Sequence, residues 1–259
     1  MISFVGAGPG APDLITLRGA RLLSKADVVV YAGSLVNPEL LELCREGVEV
    51  YDSSSMTLEE IADVMVGAGI SGKDVVRLAT GDVSVFGALA EMVRPLDEAG
   101  IAYQVVPGVS SVFAAAAALP VEYTHPGVSQ TLIVTRAEGR TPVPVTEHLS
   151  DLAQHKATMA ILLSAGLVDK VEADLLAGGL DPQTPAAIVV RATWPDERIY
   201  RCTVDTLVSV ATDNHVERTA IILVGDALAA TKGTSLLYDA TFSHGYRKGH
   251  KSEGGAHSC

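Results

Sequence analysis

Short apolar, β-branched runs alternate along the chain with longer stretches in which apolar residues recur every three or four positions. In the first half the runs predict strands at 2–5, 27–31, 48–51, 74–78 and 103–106, and the stretches between them predict helices at 11–24, 37–45, 57–68 and 87–99. Thr57 and Glu60 form a capping-box pattern at the start of the third helix. This alternation predicts βαβ units around a mainly parallel sheet, and the nearly all-apolar runs indicate strands covered on both faces.

The pattern breaks after the fifth run, where Pro107 and Gly108 are followed by an alanine-rich helix predicted at 112–118 and then by Pro120 and Pro126. Beyond the break, strands are predicted at 131–135, 158–163, 186–190, 199–203 and 220–224, and helices at 145–154, 167–178 and 204–211. The sequence therefore predicts an α/β fold of two α/β domains with mainly parallel or mixed sheets. The predicted limits are 1–118, 119–240 and a disordered tail at 241–259, which has little to bury.

The amino-acid composition argues against several classes of function. Nineteen Lys and Arg residues against 31 Asp and Glu residues give a net charge of −12, which argues against general nucleic-acid binding. An anionic substrate must therefore meet a local group of arginines. The apolar runs are too short for a membrane span, and no basic stretch precedes one at the start, so neither a membrane segment nor a secretory signal is expected. Three widely spaced cysteines fit a reduced cytoplasmic protein without a metal site.

The first loop, after the run at 2–5, is rich in glycine. Its Gly6-x-Gly8-x-x-Ala11 pattern matches the dinucleotide-binding fingerprint. Pro9 and Pro12 lie inside the pattern and disfavour a helix start there, and no acidic residue follows the second run to bind a ribose. A loop that brings its backbone close to a flat ligand fits better, and a tight turn without a ligand is the alternative.

Four motifs carry a family resemblance: VGAGPG (5–10), TGDVSVFG (80–87), VPGVSS (106–111) and RATWPDE (191–197). Together they resemble the tetrapyrrole methyltransferases, the class III S-adenosylmethionine enzymes. YAGSLVNPELL (31–41), DSSSMTLEEI (52–61), SQTLIVTRAEGRTPVP (129–144) and ATMAILLSAG (157–166) are similar to the subgroup that methylates precorrin-4 at carbon 11 in cobalamin biosynthesis. The resemblance covers about residues 1–240; Ala11 stands where many members have Asp.

The resemblance implies two α/β domains, usually in a homodimer, with S-adenosylmethionine folded in the cleft between them and a tetrapyrrole as substrate. S-adenosylhomocysteine would be the product. Asp82 could instead be a turn or cap residue, and Ser110 or Ser111 could cap the short helix. The resemblance implies that these residues lie at the cofactor: Pro9, Thr80, Gly81, Asp82, Val85, Ser110, Ser111, Ala165, Ala192, Thr219 and Ala220.

The tetrapyrrole carries acetate and propionate arms, which guanidinium groups bind well. Arg18, Arg136 and Arg140 are the predicted substrate-binding residues; solvated surface arginines are the alternative. No catalytic residue is assigned, and none of the histidines outside the tail is given that role. Three other functions stay open: another methyltransferase of the same family, a nicotinamide-dependent oxidoreductase resting on the first loop alone, and a non-catalytic tetrapyrrole carrier.

Overall fold

Five parallel strands form the first sheet of the computed structural model, which describes residues 1–230 and 235–250. The spatial order is β3-β2-β4-β1-β5. The strands are β1 (Ile2–Gly6), β2 (Val28–Tyr31), β3 (Glu49–Asp52), β4 (Val75–Ala79) and β5 (Tyr103–Val106). Helices α1 (Leu17–Leu23), α2 (Leu58–Ile70) and α3 (Leu89–Glu98) connect them. All four strand pairs are parallel, as the alternating pattern predicts.

The second sheet is mixed. Its order is β6-β7-β10-β8-β9, with one parallel pair (β6 with β7) and three antiparallel pairs. Its strands are β6 (Leu132–Arg136), β7 (Thr158–Leu162), β8 (Pro185–Val190), β9 (Arg198–Thr203) and β10 (Ala220–Val224). Helices α5 (Leu149–Ala153), α6 (Val168–Ala177) and α7 (Leu207–Asp213) share one core with one face of this sheet.

Helix α4 (Ser111–Ala118) follows the first sheet in sequence but packs on the second. Its Val112 and Ala115 are buried against the strand residues Ala160 and Leu223. Arg201 of β9 donates a hydrogen bond to the Leu119 carbonyl at the end of α4 (2.6 Å). The helix therefore joins the two halves, and the domain limits of 1–118 and 119–240 stay a prediction.

Most predicted elements are confirmed within a residue or two, including the Thr57 capping box of α2. The single helix predicted at 11–24 is wrong: a 3₁₀ turn at Pro12–Leu14 precedes α1, because the Thr16 side chain accepts a hydrogen bond from Gly19 N (3.1 Å) and starts a new helix. The segments predicted as helices at 37–45 and 145–154 contain 3₁₀ turns at Pro38–Leu43 and Val145–Glu147. Strand β3 lies at an edge with all four residues exposed, so the prediction of cover on both faces is wrong there.

The end of the described chain makes a few local contacts. His244 and Arg247 form a two-residue bridge, and Arg247 donates to the Leu237 carbonyl (2.8 Å). The predicted tail lies at 241–259, of which 251–259 is outside the described residues. Within 1–230 and 235–250, every helix is too short or too polar to cross a membrane.

Candidate functional site

Three loops meet at the carboxyl ends of β1, β4 and β5. A Cβ atom on Gly108 would lie 2.1 Å from the Gly81 carbonyl oxygen, and one on Gly6 would lie 2.6 Å from the Gly108 Cα. Gly8 and Gly81 exchange backbone hydrogen bonds of 3.3 and 2.8 Å. Only glycine allows such close backbone crossings. Because α1 begins only at Leu17, this loop lacks the helix start that the dinucleotide fingerprint requires, which removes the support for the nicotinamide alternative.

The Asp82 carboxylate fastens two of these loops together. It accepts hydrogen bonds from the backbone N–H of Gly108 (2.7 Å) and of Ser84 (2.8 Å), and from the Ser84 hydroxyl. Burial by itself raises the pKa of Asp82, but the hydrogen bonds from the Ser84 hydroxyl, Gly108 N–H and Ser84 N–H outweigh it and lower that pKa. The turn after β4 is therefore held against the loop after β5 by an ionised group.

A cavity of about 130 Å³ opens beside this crossing. It lies between the carboxyl ends of β1 and β4 on one side and the ends of β7 and β8 with the start of β10 on the other. Its apolar walls include Leu35, Leu162, Leu163, Val189 and Ile221. Six residues predicted at the cofactor also line it: Pro9, Thr80, Ser111, Ala192, Thr219 and Ala220.

A second cavity of about 510 Å³ adjoins the first and shares Leu35, Leu163, Arg191, Thr219 and Ala220 with it. This second volume is in the range of small-molecule sites, roughly 300–1,000 Å³. Ala165, another predicted cofactor residue, lines this one. Seven of the eleven predicted residues therefore border the two connected spaces.

The other four predicted residues are not among those that line the two cavities. Gly81 and Asp82 form the loop crossing, and Val85 N donates to the Asp82 carbonyl (3.2 Å). Ser110 is buried and caps α4, since its side chain accepts from Val112 N (3.3 Å). Their contacts support the shape of the loops around the cavity.

Three residues in the wall that the two cavities share have a strained backbone conformation. Leu163, Arg191 and Thr219 line both cavities with φ of 54°, 50° and 52°, a region that non-glycine residues rarely adopt. Arg191 N donates to the Thr219 carbonyl (2.8 Å), which joins two of them. Such strain is concentrated at ligand sites in proteins. Sequence reasoning missed Leu163 and Arg191, because no local pattern marks a positive φ outside glycine.

The predicted substrate arginines are not brought together at the cavity. Arg18 is exposed on the first turn of α1, and Arg140 is exposed on the loop after β6. Arg136 donates to the carbonyls of Ala137 (3.3 Å), Thr141 (3.2 Å) and Pro142 (2.7 Å), so it holds the shape of that loop. The arginines among the lining residues of the two spaces are Arg191 and Arg218, which the sequence analysis had not selected.

Comparison with known proteins decides the family. The sequence model described as Tetrapyrrole (Corrin/Porphyrin) Methylases matches residues 1–208, most of the chain. The chain belongs to this family. As a tetrapyrrole methylase it is 50% identical over 251 residues to the cobalt-precorrin-4 C(11)-methyltransferase of Methanocaldococcus jannaschii, covering 96% of this chain and 97% of that one. It is 44% identical over 245 residues to a precorrin-4 C(11)-methyltransferase of Mycobacterium tuberculosis, covering 94% and 98%.

Solved structures agree with this assignment. The X-ray structure of a cobalt precorrin-4 methyltransferase of cobalamin biosynthesis matches this tetrapyrrole methylase with a TM-score of 0.85 at 48% identity, over 88% of this chain and 95% of that one. The uroporphyrin-III C-methyltransferase of Thermus thermophilus, solved with S-adenosylhomocysteine, matches with a TM-score of 0.73 at 30% identity, over 88% and 92%. The predicted two-sheet α/β fold is confirmed.

Proposed function

We propose that this chain transfers a methyl group from S-adenosylmethionine to carbon 11 of precorrin-4 or of its cobalt complex, a step of cobalamin biosynthesis. The observation that carries the proposal is the pair of adjoining cavities between the two sheets, bordered by seven of the residues that the family resemblance assigns to the cofactor. Two relatives of this name, 50% and 44% identical over nearly the whole chain, support the choice of substrate and carbon.

The walls of the two adjoining cavities fit the cofactor. The apolar surfaces of the first suit the flat adenine, and the small Ala192 in the first and Ala165 in the second leave room for a ligand. Thr80 and Ser111 place hydroxyls at the opposite wall, where an amino and a carboxylate group can bind. Asp82 acts mainly through the loops it fastens, because its carboxylate already accepts three hydrogen bonds. Gly81, Val85 and Ser110 support the same loops.

When bound, the cofactor supplies an activated methyl group on a sulfonium. The protein's contribution is to hold carbon 11 in line with that group and to exclude water, and alignment of this kind supplies about 7–11 kcal/mol. As the new carbon–carbon bond forms, the carbon–sulfur bond breaks, the sulfonium becomes the thioether of S-adenosylhomocysteine, and the macrocycle loses a proton. We assign no proton acceptor to this chain.

The acidic arms of the substrate require positive charge at the mouth of the site. Arg18, Arg136 and Arg140 remain our proposed substrate-binding residues. Arg136 contributes by shaping the loop that carries Arg140, since its guanidinium is bonded to three backbone carbonyls of that loop. Arg218 adds charge at the wall of the second cavity, whereas the Arg191 guanidinium in the same wall is paired with Asp196.

The test is turnover with carbon-13-methyl S-adenosylmethionine. Precorrin-4 and cobalt-precorrin-4 are offered separately, because relatives of both names match the chain. One new methyl at carbon 11, located by mass spectrometry and NMR, is the expected product. A methyl at another carbon would assign the chain to a sibling step. No transfer to either substrate, despite tight binding of S-adenosylhomocysteine, would refute the proposed acceptor.

We also propose a cytoplasmic homodimer. Phe113 on α4 is 62% exposed and Val105 on β5 is 43% exposed, and a second copy could cover apolar side chains of this kind. Cys44 and Cys202 are free thiols, which fits a reducing compartment. Light scattering should give twice the chain mass of 27.0 kDa; a mass of one chain would contradict the dimer. Cell fractionation tests the location.

A further inference from the structure

Hydrogen bonds attach the first loop to the second half of the molecule beside the first cavity. The Trp194 indole Nε1 donates to the Pro9 carbonyl (3.1 Å), and Ala11 N donates to the Thr193 hydroxyl (2.9 Å). From the same half as the loop, Asn37 Nδ2 donates to the Gly10 carbonyl (3.0 Å). Three consecutive loop residues are therefore each held by a side chain outside the loop.

The indole lies directly against the loop. A Cβ atom on Gly10 would lie 2.2 Å from Trp194 Cδ1, so the loop approaches the ring more closely than any residue except glycine allows. Trp194 and Pro9 both line the first cavity. The contact is thus part of the cavity wall and fixes where the Pro9 backbone stands within it.

Further bonds hold Trp194 and Thr193 in place. The Arg191 guanidinium lies over the indole, 4.0 Å from the ring centroid, and its Nε donates to Asp196 (2.6 Å). Thr193 N donates to the Glu197 carboxylate (2.6 Å), and Thr193 has a strained φ of 69°. A backbone in this conformation persists because the surrounding contacts enforce it.

We propose that Trp194 and Thr193 form a latch that positions the first loop over the cofactor cavity, and that the Arg191–Trp194 stack keeps the indole aimed at Pro9. Both are positioning residues: they act on ligand binding through the backbone of the first loop. The inference rests on the proposed function for the identity of the ligand, S-adenosylhomocysteine, which serves as the probe below.

The experiment compares variants that remove one bond each. Trp194→Phe removes the N–H while keeping a ring for Arg191, and Thr193→Val removes the hydroxyl while keeping the side-chain shape. Each should raise the Kd of S-adenosylhomocysteine, measured by calorimetry, fivefold or more. Thr193→Ser, which restores the hydroxyl, should bind within twofold of the wild type.

A matched control separates positioning from stability. Thr206 accepts a hydrogen bond from Thr203 N (3.0 Å) in a 3₁₀ cap and lies outside both cavity walls. Thr206→Val should lower the urea midpoint about as much as Thr193→Val and leave the Kd unchanged. If Thr206→Val weakens binding equally, or if Trp194→Phe and Thr193→Val bind like the wild type, the latch is refuted.

Hydrogen exchange tests the latch without any ligand. Pro9 and Pro12 have no amide hydrogen, so a peptide spanning them reports mainly on Gly10 and Ala11. Thr193→Val should speed exchange of this peptide about tenfold, and Thr193→Ser should restore it; unchanged exchange would overturn the latch. If the wild type fails to bind S-adenosylhomocysteine, the cofactor assignment fails, and the exchange result still decides the latch.

Trp194 is the single tryptophan of the chain, so its fluorescence emission gives a third signal. The emission should shift on ligand binding, and Thr193→Val should reduce that shift.

Discussion

The Asp82 carboxylate accepts a hydrogen bond of 2.7 Å from the backbone N–H of Gly108, 26 residues further along the chain. This bond joins the two loops that carry Thr80 and Ser111 to the cavity. The separation of these two lining residues thus depends on a carboxylate whose hydrogen bonds go to Ser84 and Gly108.

Replacement of that carboxylate should weaken cofactor binding. Hydrogen bonds to a charged group contribute about 1.5–3 kcal/mol, and the amide of Asp82→Asn cannot accept all three. We expect the Kd of S-adenosylhomocysteine to rise roughly tenfold, a free-energy change of about 1.4 kcal/mol. Asp97→Asn, at an exposed position of α3, is the control and should bind as the wild type does. If both variants bound S-adenosylhomocysteine equally well, the hydrogen bonds of the Asp82 carboxylate would not be needed for cofactor binding.

The same group gives a dependence of stability on pH. Because the pKa of Asp82 is lowered in the folded state, its contribution is present above the unfolded-state pKa and is lost as pH falls through the folded-state value. The free energy of unfolding should therefore fall in acid below about pH 4. Urea titrations at a series of pH values should show a shallower fall for Asp82→Asn than for the wild type. If the free energy of unfolding fell equally steeply with pH in both proteins, Asp82 would not contribute to the loss of stability in acid.

Gly108→Ala should disrupt the loop crossing. Its Cβ would lie 2.1 Å from the Gly81 carbonyl oxygen, so the two loops must separate, and we expect loss of measurable S-adenosylhomocysteine binding. Gly67→Ala is the matched control, because that glycine lies inside α2 with open space around it. There the change should stabilise the protein by about 0.5–1 kcal/mol and leave binding intact. If Gly108→Ala still bound S-adenosylhomocysteine, the close contact between these two loops would not be needed for binding.

Arg136→Ala should affect the substrate far more than the cofactor. Loss of three hydrogen bonds to Ala137, Thr141 and Pro142 frees the loop that carries Arg140. We expect the KM for the tetrapyrrole to rise about tenfold or more, as for loss of one or two charged hydrogen bonds, with the Kd of S-adenosylhomocysteine unchanged. Arg94→Ala, exposed on α3, should change neither value. Equal weakening of both ligands in Arg136→Ala would count against a substrate role.

Tyr123→Phe tests the attachment of α4 to the second half. The Tyr123 hydroxyl donates to the Val112 carbonyl of α4, while the Thr158 hydroxyl donates to the Tyr123 carbonyl (2.7 Å). Removing the buried hydroxyl should lower the free energy of unfolding by about 1 kcal/mol. Tyr246→Phe, at a fully exposed ring, should have no effect on the free energy of unfolding.

Burial also raises the pKa of Tyr123 in the folded state. Its stabilising contribution is therefore lost as the pH rises above the unfolded-state pKa of about 10, so wild-type stability should decline there more steeply than that of Tyr123→Phe.

The sequence predicted the strands well, because a run such as Val28–Tyr31 is apolar throughout and must be buried. It failed where polar side chains compete with the helix: Thr16 restarts α1, and the pattern of apolar positions at 11–24 contains no sign of that break. For the site, the motifs selected the wall residues Pro9, Thr80 and Ala192. Arg191 and Leu163 lie inside quoted motifs but were not selected, because their roles arise only where the ends of β7, β8 and β10 meet.

Trp194 illustrates the same limit. The Trp-Pro pair predicts a loop, and the loop is present. Its partner, Pro9, is 185 residues away, and no local signal links the two. Contacts of this kind are set by the docking of whole sheets.

The position of helix α4 has a consequence for how the chain is made. Synthesis runs from the N-terminus, so the first sheet has all five strands once β5 has been made. Helix α4 emerges next, but the strands that bury its Val112 and Ala115 come from 158–224. During synthesis the apolar face of α4 is therefore made well before the strands that cover it, and it stays exposed until the strands of the second sheet have followed.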